Sequence, residues 1–377
     1  MTLGILGGGQ LGRMTALAAA RLGVDVRVLA PRPAPPAAPF AGVTVGDWED
    51  PSVLGPWARR CDVVTVESEW APADRVPEST PVRPGPTTLQ TVRHKGRQRA
   101  RLAEAGLPQP DHVAAATLDE ALGALGRFGA VVCKRFEGSY DGYGNATCRT
   151  EAEVRAAWTD LATEDGLLVE AFVPFEAEAA VTVARRPDAD GWGGAAVVYP
   201  VVRSEHRDHR LHAAWAPAGF SDPVEAEARR VALATVGALD VVGVATVEVF
   251  VAPGGAGGAP RVLVNEVAPR PHNTAHLTID AHHTSQFENH VRAVLDWPLG
   301  DPGLRVPAAC VVNVLGDRRG TAAPDLADAL AVEGASVHLY GKSDVRPARK
   351  MGHVTATAAT AQAAREQAER AAAAVRL

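Results

Sequence analysis

The feature that most narrows the fold of this chain lies at its start. The apolar run Leu3-Gly4-Ile5-Leu6 leads directly into Gly7-Gly8-Gly9-Gln10-Leu11-Gly12, which contains G-x-G-x-x-G at Gly7, Gly9 and Gly12. A helical pattern from about Leu11 to Arg21 follows, and then a second apolar strand from Val24 to Leu29. Strand, Gly-rich turn, helix and strand open a doubly wound α/β sheet, in which backbone and a helix N-terminus can approach a phosphate or other polar ligand. A nicotinamide dinucleotide would also need Asp or Glu at the end of the second strand to hold its ribose. That end reads Ala30-Pro31-Arg32-Pro33, so NAD is not expected.

Size and charge exclude other classes. A chain of 377 residues is long enough for roughly two to three domains. Its net charge of −6 argues against general nucleic-acid binding, and no apolar stretch is long enough to span a membrane. The N-terminus runs straight into a strand without a secretory n-region. The four cysteines (Cys61, Cys133, Cys148, Cys310) are scattered, giving neither a disulfide framework nor a zinc signature. A cytoplasmic location is expected. Among 38 basic residues only four are lysines: Lys95, Lys134, Lys342 and Lys350. In so Arg-rich a chain, a lysine marks a place that needs a compact, rotatable ammonium rather than a planar fork.

Polar residues gather at strand ends. The strand Cys61–Val66 closes on Glu67-Ser68-Glu69, two acids at the edge where such sheets bind ligands. A basic helix is expected from Thr87 to Glu104, with most of its cations facing solvent. A second α/β segment carries Lys134 just before the loop Glu137-Gly-Ser-Tyr-Asp-Gly-Tyr-Gly-Asn145, which reads as a flexible flap over a polyanion. It lacks the G-K-[ST] of a P-loop. Antiparallel strands follow over 179–216. Glu248 and Glu266 fall on paired strands, and with Asn265 they make a hard-oxygen set suited to Mg²⁺ shared with phosphates. From Asn265 to His276 the sequence packs one carboxylate, one guanidinium, two imidazoles and two carboxamides around Pro269 and Pro271, which predicts a stiff, extended segment. A helix is expected over about 285–295. The last seventy residues read as a small separate unit with a basic loop at 340–353, taken as an anion site.

These strings carry a resemblance. G-G-G-Q-L-G-R-M at the start, Y-D-G-x-G in the flap, N-E-x-A-P-R-P-H-N, T-S-Q-F-E at 284–288 and R-P-x-R-K-M-G-H near the end span nearly the whole chain. On them the sequence resembles the ATP-grasp family and, within it, the N5-carboxyaminoimidazole ribonucleotide synthetases. The resemblance implies a Rossmann-like pre-ATP-grasp domain (1–88), an ATP-grasp domain (89–300) with a mobile subdomain at 110–173, and a small C-terminal domain (301–377). It implies an α/β and α+β fold, a cytoplasmic homodimer, ATP, bicarbonate and a ribonucleotide amine as substrates, and Mg²⁺ as cofactor.

The residue roles come from the same resemblance. Lys95, Lys134 and the loop 139–145, with Ser139, Gly142, Gly144 and Asn145, would hold the nucleotide phosphates, and His206, Asn265 and Glu266 would also contact the nucleotide. Glu170, Ala171, Phe172 and Val173 would face the adenine and Glu178 the ribose. Glu248 and Glu266 would bind Mg²⁺. Arg270, His272 and Asn273 would hold bicarbonate and the carboxyphosphate made from it. Gln10, Leu11, Glu67, Tyr140, Asp141, Lys342, Arg349 and Lys350 would hold the ribonucleotide, with Tyr140 and Asp141 also acting in catalysis. No biotin-attachment sequence is present, so the carboxyl group is expected to pass directly to the amine. The chain departs from the family pattern at Ser139, Tyr143, Trp70, His209, Thr274 and Ala275. A paralogue serving a different amine acceptor is the alternative; a nucleotide-binding protein without catalysis is opposed by the Glu248, Asn265 and Glu266 set.

Overall fold

The computed structural model describes residues 1–138, 144–187, 196–254 and 258–377. At the N-terminus, the strands Thr2–Leu6, Asp25–Ala30, Gly42–Val45 and Val63–Val66 pair in parallel, with Thr2–Leu6 between Asp25–Ala30 and Val63–Val66. Side chains alternate across this sheet, and both faces are covered. Leu3 and Ile5 pack on Met14 and Ala16 of the Gln10–Arg21 helix, together with Phe287 and Val291 of the Gln286–Val294 helix. Leu6 and Val64 pack on Leu54 and Trp57. Strands buried on both faces read as continuous apolar runs, which is the pattern of the opening sequence.

Residues 112–171 form a second layer. The strands His112–Ala115, Leu167–Ala171, Val131–Lys134 and Asn145–Cys148 make an antiparallel sheet in that spatial order. The helices Leu118–Phe128 and Glu151–Leu161 each begin with a capping box, Thr117 with Glu120 and Thr150 with Glu153. Each box satisfies two N–H groups that the first turn leaves unpaired.

The centre is a nine-stranded sheet. Its strands Arg261–Ala268, Gly243–Ala252, Ala177–Arg185 and Val202–Arg207 lie side by side, followed by Arg210–Ala216, Ala308–Leu315, Lys350–Ala358 and Ala335–Leu339, and the short ninth strand Ala196–Val198 pairs with the end of Ala177–Arg185. On one face Val247, Val249, Val251, Val262 and Val264 pack on Val224, Val231 and Val236 of the Asp222–Ala238 helix. Alternation leaves Glu248 on the opposite face, and the polar site is built there.

Three expectations change. The predicted helix over 87–104 is two helices, Pro86–Arg93 and Lys95–Glu104. His94 between them is extended (φ −100°, ψ 102°), and its ring accepts from the Arg97 N–H to cap the second helix. Leu89, Val92 and Leu102 are all buried, so the apolar pattern runs through the break and conceals it. Within the last seventy residues Gly320–Thr321 and Asp344–Val345 pair as a small sheet, but Ala308–Leu315, Lys350–Ala358 and Ala335–Leu339 extend the central one. The segment from Asn265 is extended only in part: it stays in the strand to Ala268 and then turns through a 3₁₀ turn at Asn273–Ala275. The prolines precede that turn rather than preventing it. Among the described residues, no helix is long and apolar enough to cross a membrane.

Candidate active site

The central sheet meets the 112–171 layer at a cavity of about 740 Å³. Strand register brings its polar residues together. Glu178 pairs with Phe250 on one side and Ser204 on the other, and Glu248 pairs with Glu266. The ladder slips between Glu248 and Val249, so that Val264 faces Val249 while Glu266 faces Glu248. Asn265 is therefore the extra residue of a β-bulge. Val264 and Val267 both reach the apolar core, and the two residues between them, Asn265 and Glu266, are both released to line the cavity. A regular strand would expose only one of them.

Most charges here are paired. Glu170 accepts from Arg99 Nε at 2.5 Å and from Lys134 Nζ at 2.6 Å. Burial pushes the Glu170 carboxyl up, but Arg99 and Lys134 outweigh it and hold it at about 2. Burial lowers Lys134, with Glu170 opposing. Lys134 Nζ also stands 3.5 Å from Asn265 Oδ1. Lys95 Nζ donates to Glu266 Oε1 at 2.9 Å, and His206 Nδ1 lies 2.8 Å from Glu178 Oε2. Glu248 is pushed up to about 7 by burial, against the pull of His206 and with the push of Glu266. Ala171, Phe172 and Val173 line one wall of the cavity, and Asn145 lies among its polar lining. The Gly144 carbonyl beside it accepts from the Arg135 N–H at 2.9 Å. Ser139, Tyr140, Asp141, Gly142 and Tyr143 fall outside the described residues.

A smaller pocket of about 200 Å³ adjoins this cavity and shares part of its wall; Gln10, Leu11, Glu69, Arg270, His272, Asn273 and Lys350 are among the other residues that line it. Arg270 is held by Glu69, Nε to Oε2 at 2.7 Å and Nη2 to Oε1 at 3.4 Å. His272 Nδ1 is 2.9 Å from the Thr274 hydroxyl, and its Nε2 lies 3.6 Å from Glu248 Oε1. Burial, with Arg270 and Lys350 nearby, pushes His272 down to about 3, so the ring is neutral. Gln286 clamps the His272 backbone from both sides, accepting from its N–H and donating to its carbonyl, each at 2.8 Å. Asn273 is different: both Oδ1 and Nδ2 are buried with no hydrogen-bond partner. An unpaired buried amide costs stability unless something completes it.

A third cavity, of about 420 Å³, opens at the edge of the N-terminal sheet and is lined by Gly7, Gly8, Gly9, Glu67, Lys342 and Arg349, among others. Here the expectation for the glycine loop is revised. Glu67 accepts from the Gly9 N–H at 2.8 Å and from the Gly12 N–H at 3.0 Å. A Cβ on Gly7 (φ +104°) would stand 2.4 Å from Glu67 Cγ, and one on Gly9 would stand 2.7 Å from Glu67 Oε1. The glycines thus admit the chain's own carboxylate to the helix N-terminus, where a dinucleotide would place its phosphates. Burial raises Glu67 while those two N–H groups lower it, with the balance upward. Lys342 Nζ donates to Gln10 Oε1 at 2.7 Å and to the Lys350 carbonyl at 2.5 Å. Burial, with Arg349 and Lys350, lowers it to about 8. Arg349 Nη1 is paired with Asp344 Oδ1 at 2.6 Å.

Several residues in these sites escaped the sequence reading. Arg99 is 2% exposed, although it sits in a helix read as mostly solvent-facing. It also donates to the Val264 and Asn265 carbonyls at 2.8 and 2.7 Å, fixing the bulge. Its spacing of four from Lys95 was the available signal. Glu69, read as a crevice acid, and Gln286, within the T-S-Q-F-E string, act through Arg270 and His272, and it is those contacts that no local pattern announces. Phe250, beneath Phe175 in a stacked pair (4.7 Å between ring centroids), lines the nucleotide-sized cavity and alternates with the core valines of its strand. Of the described departures from the family pattern, only His209 borders a cavity; Trp70, Thr274 and Ala275 line none of the three.

Comparison with known proteins agrees across the chain. Residues 1–93 match the ribonucleotide synthetase preATP-grasp domain, residues 100–287 the ATP-grasp domain, and residues 309–367 the phosphoribosylaminoimidazole carboxylase C-terminal domain. An N5-carboxyaminoimidazole ribonucleotide synthase from Synechococcus elongatus is 38% identical over 363 residues, covering 94% of this chain and 88% of that protein. The chloroplastic phosphoribosylaminoimidazole carboxylase of Vigna aconitifolia is 36% identical over 94% of this chain, which spans 64% of that longer relative. The crystal structure of N5-carboxyaminoimidazole synthase from Aspergillus clavatus in complex with ADP and 5-aminoimidazole ribonucleotide superposes with a TM-score of 0.85. It is 30% identical, with 97% of this chain and 96% of that one covered.

Proposed function

The chain belongs to the N5-carboxyaminoimidazole ribonucleotide synthase family of ATP-grasp enzymes, and from that premise we propose that it carboxylates 5-aminoimidazole ribonucleotide with ATP and bicarbonate, through carboxyphosphate, in purine biosynthesis. The reading is of a cytoplasmic enzyme acting as a homodimer. The observation that carries it is Asn273, which lines a small pocket with Arg270, His272 and Lys350 and whose two amide atoms are buried without a partner. A planar oxyanion such as bicarbonate would satisfy the amide donor and meet two cations there.

ATP is assigned to the large cavity. Its adenine lies against Ala171, Phe172, Val173 and Phe250, its ribose toward Glu178, and its phosphates toward Lys134, Lys95 and the Gly-rich loop. Glu248, Glu266 and Asn265 offer hard oxygens for Mg²⁺. Among the described residues no group of three or more His, Cys, Asp and Glu makes a closed metal cage. Mg²⁺ itself needs only one or two protein carboxylates together with substrate phosphates. When bound, Mg²⁺ neutralises charge on the phosphates. Bicarbonate is a poor electrophile, and phosphorylation supplies its carbon with a leaving group. The residues around it bind and orient. Glu69 holds Arg270, Gln286 holds the His272 backbone, and Thr274 orients its ring. The ribonucleotide is assigned to the neighbouring cavity, beside Gln10, Glu67, Lys342, Arg349 and Lys350.

The test is ADP release with and without 5-aminoimidazole ribonucleotide and bicarbonate. Release is expected to depend on both. Stimulation by another amine but not by this ribonucleotide would overturn the assignment.

A further inference from the structure

Four side chains line both the nucleotide cavity and the smaller pocket: His206, His209, Glu248 and Glu266. Three of them already have places in the reading above. His209 does not. It stands at the tip of the hairpin joining Val202–Arg207 to Arg210–Ala216, where Arg207 pairs with Arg210 across a two-residue turn. Both turn residues have positive φ, 48° at Asp208 and 61° at His209. Such turns favour Gly, Asn and Asp, because a larger side chain crowds the backbone in the left-handed region. The chain nevertheless places an imidazole there.

That imidazole is exposed, and among the described residues no hydrogen bond, ion pair or ring contact engages it. His206, by contrast, is already engaged by Glu178. His209 borders the two cavities assigned to ATP and bicarbonate but does not line the third, assigned to the ribonucleotide. The place it marks is therefore the passage between the nucleotide and the oxyanion. Phosphoryl transfer depends on donors aimed at oxygens whose charge develops in the transition state; of the other three side chains shared by the two cavities, Glu248 and Glu266 are carboxylates and His206 is engaged by Glu178.

We propose that His209 is a catalytic residue that donates an N–H to an oxygen of the γ-phosphoryl group during its transfer. The inference rests on the assignment of ATP and bicarbonate given above. In the step, a bicarbonate oxygen forms a bond to Pγ as the bond from Pγ to the β-phosphate oxygen breaks. ADP leaves with that electron pair, and the proton of bicarbonate stays on its carboxyl group. His209 forms and breaks no covalent bond.

The experiment compares wild type with His209→Asn and His209→Gly. Both replacements suit a left-handed turn, so neither should lower the melting temperature, and a loss of rate is then not a loss of fold. Bicarbonate-dependent ADP release is followed with and without 5-aminoimidazole ribonucleotide, and ADP affinity is measured separately by calorimetry. The expected result is a fall in kcat of about 10- to 100-fold in both variants, with ADP affinity within about twofold. Added imidazole should restore part of the rate in His209→Gly. A kcat within about twofold of wild type would overturn the proposal, leaving His209 as a turn residue. So would a loss of ADP affinity equal to the loss of kcat, since that marks an ordinary nucleotide contact. Wild-type release that ignores the ribonucleotide strikes the functional reading instead, and the bicarbonate-dependent rates still decide the role of His209.

Discussion

The nucleotide cavity and the ribonucleotide cavity are built on different principles. The first rests on strands. Glu178, Glu248 and Glu266 are placed by ladder register, and one bulge at Asn265 adds a fourth polar group. Most of its charges are paired: Glu266 with Lys95, Glu178 with His206, and Glu170 with Arg99 and Lys134 in a buried triad. The second rests on loops from opposite ends of the chain, where Gln10 meets Lys342 across 332 residues of sequence. Its glycine loop is closed by Glu67, and its cations are held by loop contacts, Lys342 by Gln10 and the Lys350 carbonyl and Arg349 by Asp344. A strand-built site gains rigidity from the sheet, whereas a loop-built one depends on how the domains dock. The first should therefore fail in turnover and stability when broken, and the second in substrate affinity.

The largest effect is expected on the strand side. Glu248→Gln should lower kcat by about 10³-fold, or about 4 kcal/mol in the barrier, while ADP still binds by calorimetry. Full turnover in that variant would remove Glu248 from the proposed metal site. Next, Arg99→Met leaves the buried Glu170 with one partner instead of two. It should cost about 3 kcal/mol in urea unfolding, because an uncompensated buried charge is expensive. An unchanged midpoint would show the triad to be less cooperative than its geometry implies.

Smaller effects belong to the loop side. Lys342→Met should raise the KM for the ribonucleotide by about 10- to 100-fold and leave the KM for ATP alone. If the KM for ATP rises as much, the two cavities are not separable in the way their construction suggests. The pH dependence is finer still. Lys342 is lowered to about 8 by burial and by Arg349 and Lys350, so raising the pH through 8 removes its charge. For a phosphate-bearing substrate, kcat/KM should then fall about tenfold per unit above that point, and Lys342→Met should abolish this limb. A wild-type profile flat to pH 9 would contradict the assignment of Lys342.

The contrast also explains what could be read from the sequence. The β-α-β opening was legible because sheet and helix periodicities alternate cleanly over Leu3–Leu29. Glu248 and Glu266 were legible because a hairpin tip lies between their strands. The four lysines stood out against an arginine background, and the structure gathers all of them at the cavities or at their paired acids. The bulge at Asn265 was not legible, since nothing local separates it from a regular strand. Nor was Arg99, which looks like one of five surface cations until its partners 71 and 166 residues away are known. Glu69 was read as an acid facing a crevice, and its partner Arg270 lies 201 residues on. The glycine loop misled for a similar reason: Glu67 arrives from another strand to fill the anion site that Gly9 and Gly12 create.

The central claim is that bicarbonate beside Asn273 takes the phosphoryl group from ATP in the adjoining cavity. It is tested most directly with ¹⁸O-labelled bicarbonate, ATP and 5-aminoimidazole ribonucleotide, by following label in the phosphate released. Transfer through carboxyphosphate predicts one labelled oxygen in the phosphate formed at each turnover. Carboxylated product accompanied by unlabelled phosphate would contradict it.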